Sequence, residues 1–233
     1  NDDGLATSSD DTIGNNDSVT VREWSVVGMS CHFPGGVSGP GSYWDLMSTG
    51  KQTSSGIPFE RWDSEASFIG LGLSEDEKMS ASHGSFVMDM ECFDASFFGI
   101  SKSEAKAMDP QQQALLECSY VAFKDAGYTM EGLRGLNCGV FVAVTASANT
   151  PTRGSERLTI SEMNNASVYD ATSTSSSIAA GRISYVFDLE GPNSAFDTAC
   201  SSSLVALHAA ISSLKQGECK VALVIAVNQL FDL

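Results

Sequence analysis

Basic residues are scarce in this chain: 13 lysines and arginines stand against 29 aspartates and glutamates in 233 residues, a formal charge of −16. So acidic a surface does not suit a phosphate backbone, which argues against nucleic acid as a partner. Long apolar runs are missing too. The longest, Val221–Val227, falls far short of the roughly 20 residues a membrane-spanning helix needs, and suits a buried strand. Only three histidines occur, and no two cysteines have CxxC spacing, so no metal site is expected. The six cysteines (Cys31, Cys92, Cys118, Cys138, Cys200 and Cys219) are widely scattered. A chain of this length folds without disulfides, and all but Cys200 read as reduced, buried thiols of a cytoplasmic protein. There is no basic-then-apolar leader and the first residue is not Met. The true amino terminus, with any targeting signal, is therefore expected to lie upstream.

What is present is a globular composition, 42% hydrophobic and 18% charged. Residues 1–20 are the exception, rich in Asp, Asn, Ser, Thr and Gly, and read as a disordered linker or frayed end. The organised part, 21–233, opens on an apolar run at Trp24–Met29 that predicts a buried strand. Phe33-Pro34-Gly35-Gly36 then marks a loop, Tyr43–Met47 starts a short helix, and 50–85 reads mostly as loop.

A long helix is predicted over 109–126. Asp109 caps it, Pro110 fits its first turn, Gln112 stands at the capping-box position, and Gly127 stops it. Cys138–Val144 predicts a buried strand and Ser175–Tyr185 a helix of small residues, with a turn at Gly191-Pro192. Ser194–Asp197 then reads as a strand, Thr198-Ala199-Cys200 as a tight turn, and Ser201–Gln216 as a helix. Leu204, Leu207, Ile211 and Leu214 are its apolar stripe, and Val221–Asn228 follows as a strand. Strands alternating with helices define an α/β class.

That order sets Cys200 where a strand turns sharply into a helix. Backbone N–H groups without intrahelical partners and the helix dipole favour an anion there, which raises the thiolate fraction of a thiol so placed. A strand–turn–helix elbow also turns a side chain outward, towards substrate. A base for such a thiol is harder to find. His208 lies eight residues further along the same predicted helix, about 12 Å of axial rise away, and reads as a packing residue. His32 and His83 sit in loop-like segments. No Gly-rich phosphate loop has the required spacing.

The string from Gly191 to His208, GPNSAFDTACSSSLVALH, resembles the active-site signature of type I β-ketoacyl synthases, in the form found in polyketide synthases and animal-type fatty acid synthases. Further similarities follow in order: VVGMSCHFPGG at 26–36, FDASFFGIS at 93–101, AMDPQQQALLE at 107–117, GVFVAV at 139–144, AAGRISYVFDLEGP at 179–192 and GECKVAL at 217–223. The resemblance implies a thiolase-like layered α/β sandwich of two similar halves, of which 21–233 is the amino-terminal one. It implies that Cys200 is the nucleophile, its backbone N–H also serving the oxyanion hole. The acyl group would come from the phosphopantetheine arm of an acyl carrier protein, and decarboxylative Claisen condensation with a malonyl carrier protein would follow. No cofactor is bound directly, no metal takes part, and the complete enzyme is expected to be a homodimer.

The histidines and lysine that the resemblance assigns to condensation belong to HGTGT-like and KxNxGH-like motifs of the second half, and neither occurs here. Gln113 and His32 stand where Arg is usual, and Ala143, Ser173 and Ala226 where Gly is usual. An incomplete acyltransferase is the leading expectation, and a non-catalytic carrier-binding or dimerisation partner of a full synthase is the alternative.

Overall fold

In the computed structural model of the chain, residues 23–58, 61, 68, 72, 74–90, 92–145, 172 and 175–229 are described. The expected linker at 1–20 and the substituted Ser173 lie outside them. After an extended segment at 24–32, α1 (Pro40–Thr49) opens on its proline and closes on Gly50, whose φ of 62° ends the helix in the left-handed conformation. Strands β1 (Ser55–Gly56) and β2 (His83–Gly84) pair antiparallel and bracket α2 (Glu75–Ala81). Ser74 and Glu77 start α2 with a reciprocal capping box. That local signal lay inside a stretch expected to be mostly loop.

Next come α3 (Lys102–Ala107), α4 (Pro110–Asp125) and α5 (Met130–Leu133). In α4 the Asp109 side chain accepts the Gln111 N–H at 2.8 Å, as an N-cap should. Gln112 does not close a capping box. It is buried, and its Oε1 accepts from Arg182 Nε at 2.7 Å. The inward pull of a buried guanidinium outweighs the local cap.

The rest of the chain is β3 (Cys138–Val144), α6 (Ser176–Phe187), β4 (Asn193–Phe196), a 3-10 turn (Ala199–Ser201), α7 (Ser202–Gln216) and β5 (Val221–Val227). The strands form one parallel sheet of order β4-β3-β5, with Val142 beside Ala195 on one side and Ile225 on the other. Parallel neighbours need long crossovers, and α6 and α7 supply them. Strand alternation divides β3 between two layers. Cys138, Val140, Val142 and Val144 face the main core with Leu115 and Leu116 of α4 and Ile183 and Phe187 of α6, whereas Phe141 and Ala143 pack on Ala206 and Ala210 of α7. The predicted turn at Gly191-Pro192 is there because nothing larger fits: a Cβ on Gly191 would lie 2.3 Å from the Cys138 carbonyl carbon.

Two further sequence expectations fail. The segment Trp24–Met29 forms no strand, and Val26 and Val27 are 77% and 65% exposed. Its contacts run to α4 instead. The Met29 N–H donates to Asp125 Oδ2 at 2.8 Å and the Ser30 hydroxyl to the Cys118 carbonyl at 2.7 Å, while Gly28 passes so close to the Ala122 carbonyl that no side chain fits. The buried face of α7 is also not its leucine stripe but the small residues Ser202, Ala206, Ala210 and Ser213. Small side chains let a helix approach a sheet closely. Leu207, Ile211 and Leu214 point instead into a cavity of about 1170 Å³, bounded also by Met29, Cys118 and Val224.

Candidate active site

Cys200 sits where β4 ends and the 3-10 turn leads into α7, on the carboxyl-end side of the parallel sheet. In open α/β sheets that side is where ligands bind. The thiol is exposed and free. The turn leading to it is unusual: Ala199 has φ 55°, a left-handed conformation that costs a residue with a Cβ on the order of 1–2 kcal/mol. Hydrogen bonds hold it there. Asp197 Oδ1 accepts the Ala199 N–H at 3.3 Å and the Thr145 hydroxyl at 3.2 Å, tying the turn to the end of β3. The Ser202 hydroxyl donates to the Ala199 carbonyl and accepts the Thr198 N–H, both at 2.8 Å. Ser201 closes the loop through its hydroxyl to the Thr198 carbonyl at 2.8 Å.

The remaining cysteines divide by burial. Cys138 and Cys219 are buried, and desolvation pushes the Cys138 thiol up to about 12. Cys31 and Cys118 are half-buried and also raised by desolvation. Cys92 is exposed, against the expectation that every cysteine but Cys200 is buried. It lies in a polar turn region, and one flanking phenylalanine does not bury it.

The structure brings no histidine into this constellation. His208 is exposed on α7 rather than packed, because the helix turns its small-residue face inward. His83 Nδ1 lies 2.9 Å from the Ser82 hydroxyl and 3.1 Å from the Met79 carbonyl. His32 is exposed beside the large cavity, whose lining reaches Ser203 but not Cys200. Among the described residues no group of His, Cys, Asp and Glu side chains is placed to hold a metal ion, and no helix is long and apolar enough to cross a membrane.

Three of the substituted positions are accommodated within the described residues. Gln113 donates to the Ala105 carbonyl at 2.9 Å, Ala143 joins Phe141, Ala206 and Ala210 in the core under α7, and Ala226 is exposed on β5. Ser202 and Asp197 are the residues that sequence reasoning passed over. Their signal was present as a strand–turn–helix rich in side chains that bond locally to backbone.

A family profile described as the N-terminal domain of β-ketoacyl synthase matches residues 22–232. The chain is 45% identical over 202 residues to a type I polyketide synthase of phenolphthiocerol synthesis from Mycobacterium bovis, covering 85% of this chain and 9% of that protein. Over 209 residues it is 39% identical to a highly reducing polyketide synthase of Gibberella zeae, covering 89% and 8%. Among solved structures, an oxazolomycin ketosynthase domain from Streptomyces albus superposes with a TM-score of 0.75 at 30% identity, covering 89% of this chain and 34% of that one. The ketosynthase from module 6 of the bacillaene synthase of Bacillus subtilis superposes with a TM-score of 0.70 at 32% identity, covering 89% and 32%. The chain thus spans less than a tenth of these curated relatives and about a third of the solved domains. With a thiolase-like α/β sheet, a DTACSSS elbow and a profile matched along nearly its whole length, the chain belongs to the β-ketoacyl synthase family, matching its N-terminal domain, and is similar to the ketosynthase domains of polyketide synthases.

Proposed function

We propose that Cys200 is the acyl-accepting nucleophile of this ketosynthase. The observation that carries the proposal is an exposed thiol at the carboxyl end of a parallel strand, in the turn that starts a helix. The substrate is an acyl thioester on the phosphopantetheine arm of an acyl carrier protein. The Cys200 sulfur, having given up its proton, attacks the thioester carbonyl. A carbon–sulfur bond forms, and the carbonyl oxygen becomes an oxyanion that the Cys200 N–H stabilises. Collapse breaks the bond to the pantetheine sulfur, which leaves as the thiol with the proton Cys200 lost. In the complete enzyme a malonyl carrier thioester then loses carbon dioxide, and its α-carbon attacks the acyl-Cys200 carbonyl. That step forms the new carbon–carbon bond and returns the Cys200 thiolate. The 233 residues hold no HGTGT-like or KxNxGH-like motif, so this chain is assigned acylation alone. A homodimer, an acyltransferase classification and a cytoplasmic location belong to the same reading.

The test is incubation of the purified chain with an acyl-pantetheine thioester, followed by peptide mapping. One acyl adduct at Cys200 is expected, absent in Cys200→Ala and accompanied by no condensation product from malonyl thioester. Labelling that persists in Cys200→Ala would remove the residue from its role.

A further inference from the structure

Acyl transfer needs more than an exposed sulfur: the oxyanion donor must also point at the developing charge. The peptide group between Ala199 and Cys200 is planar and trans, so its C=O and N–H point in opposite directions. Whatever holds the Ala199 carbonyl therefore sets the direction of the Cys200 N–H. Ser202 holds it. Its backbone N–H and its hydroxyl both donate to the Ala199 carbonyl, the hydroxyl at 2.8 Å while accepting the Thr198 N–H at 2.8 Å, so the side chain adds a second bond that fixes the direction of the carbonyl. The residue is 7% exposed, and its anchor is the buried face of α7.

The position needs holding because Ala199 stands at φ 55° without being glycine. An alanine there tends to relax into the right-handed half of the map, and that relaxation rotates the next peptide plane. Asp197 opposes it from the other side by accepting the Ala199 N–H at 3.3 Å, with its carboxylate braced by Thr145. Asp197 and Ser202 thus grip the N–H and the C=O of one strained residue.

We propose that Ser202, assisted by Asp197, is a positioning residue that aims the Cys200 backbone N–H at the thioester oxygen. The inference rests on Cys200 being the acyl acceptor. It separates two reactions of the same thiol. Acylation by an aryl thioester passes through an oxyanion and needs the aimed N–H, whereas alkylation by iodoacetamide needs only an accessible sulfur. Cys92, exposed in the same chain, supplies an internal reference for an unassisted thiol.

The experiment measures both rates at both cysteines of the 233-residue chain, with S-phenyl thioacetate and iodoacetamide as reagents. Labelling of buried Cys138 and Cys219 reports any loss of fold. In the unsubstituted chain the acylation-to-alkylation ratio at Cys200 exceeds that at Cys92. Ser202→Ala lowers the Cys200 ratio about tenfold, less than the full loss of an oxyanion donor, because the N–H is misdirected rather than removed. Asp197→Ala, at an exposed side chain, lowers it about threefold. Adding Ala199→Gly to Ser202→Ala restores most of the ratio, since glycine takes positive φ without the steric penalty.

Ratios within twofold of the unsubstituted chain in both folded single variants overturn the proposal. So does exposure of Cys138 in both, which would make the grip purely structural. A ratio at Cys200 of the unsubstituted chain no higher than that at Cys92 instead overturns the acyl-acceptor reading on which the proposal stands.

Discussion

Strands β3 and β5 are nearly interchangeable as strings, CGVFVAV and VALVIAV, yet they meet different fates. All seven residues of β3 are buried, whereas in β5 only Leu223 is. The difference lies in the neighbours. β3 is hydrogen-bonded on both edges and covered by α4 and α6 on one face and α7 on the other. Among the described residues β5 pairs with β3 alone, and it borders the large cavity shared with 24–33. Apolar composition makes a strand eligible for burial, and the second edge and the layers decide whether it is buried.

The largest expected effect lies on the β3 side. Arg182 of α6, its side chain 8% exposed, donates Nη1 to Glu104 at 2.5 Å and Nε to Gln112 at 2.7 Å, tying α6 to α3 and α4. Arg182→Ala takes this donor from the Glu104 carboxylate and from the Gln112 amide oxygen, and should cost about 3 kcal/mol in a urea titration. A loss below about 1 kcal/mol would show that this side is no more tightly built than the other.

A smaller effect probes the strands directly. Val142 is 0% exposed and Val224 half-buried, so the same Val→Ala change should cost about 2–3 kcal/mol in β3 and about 1 kcal/mol in β5. Equal losses would break the comparison.

The last effect has no weight at neutral pH and appears only in alkali. Desolvation holds the Cys138 thiol at about 12 against an ordinary 9.0, so the folded chain keeps a proton that the unfolded chain has released between those values. Its contribution is complete below pH 9 and is lost as pH rises toward 12, at about 1.4 kcal/mol per pH unit. Cys138→Ala should flatten the alkaline slope of stability by that amount. Cys219→Ala, just before β5 and raised by desolvation in the same direction, should flatten it less.

Much of this was written locally. The Asp109 cap with Pro110 placed α4 within a residue, the Gly191-Pro192 turn held, and β4 is displaced from its predicted span by a single residue. The elbow at Cys200 was equally legible, because strand, turn and helix signals meet there within eight residues. The apolar run at Trp24–Met29 misled, since a strand also needs an edge to pair with, and no local pattern records whether one is within reach.

By itself the sequence determined the α/β alternation, the helix starts and the thiol at a strand–helix turn, all set by interactions between residues a few positions apart. Only the tertiary structure decided that α7 buries its alanines and serines rather than its leucines, that β5 is half-covered, and that Gln112 turns to Arg182. Those outcomes depend on which surfaces, far apart in the chain, come close enough to exclude water.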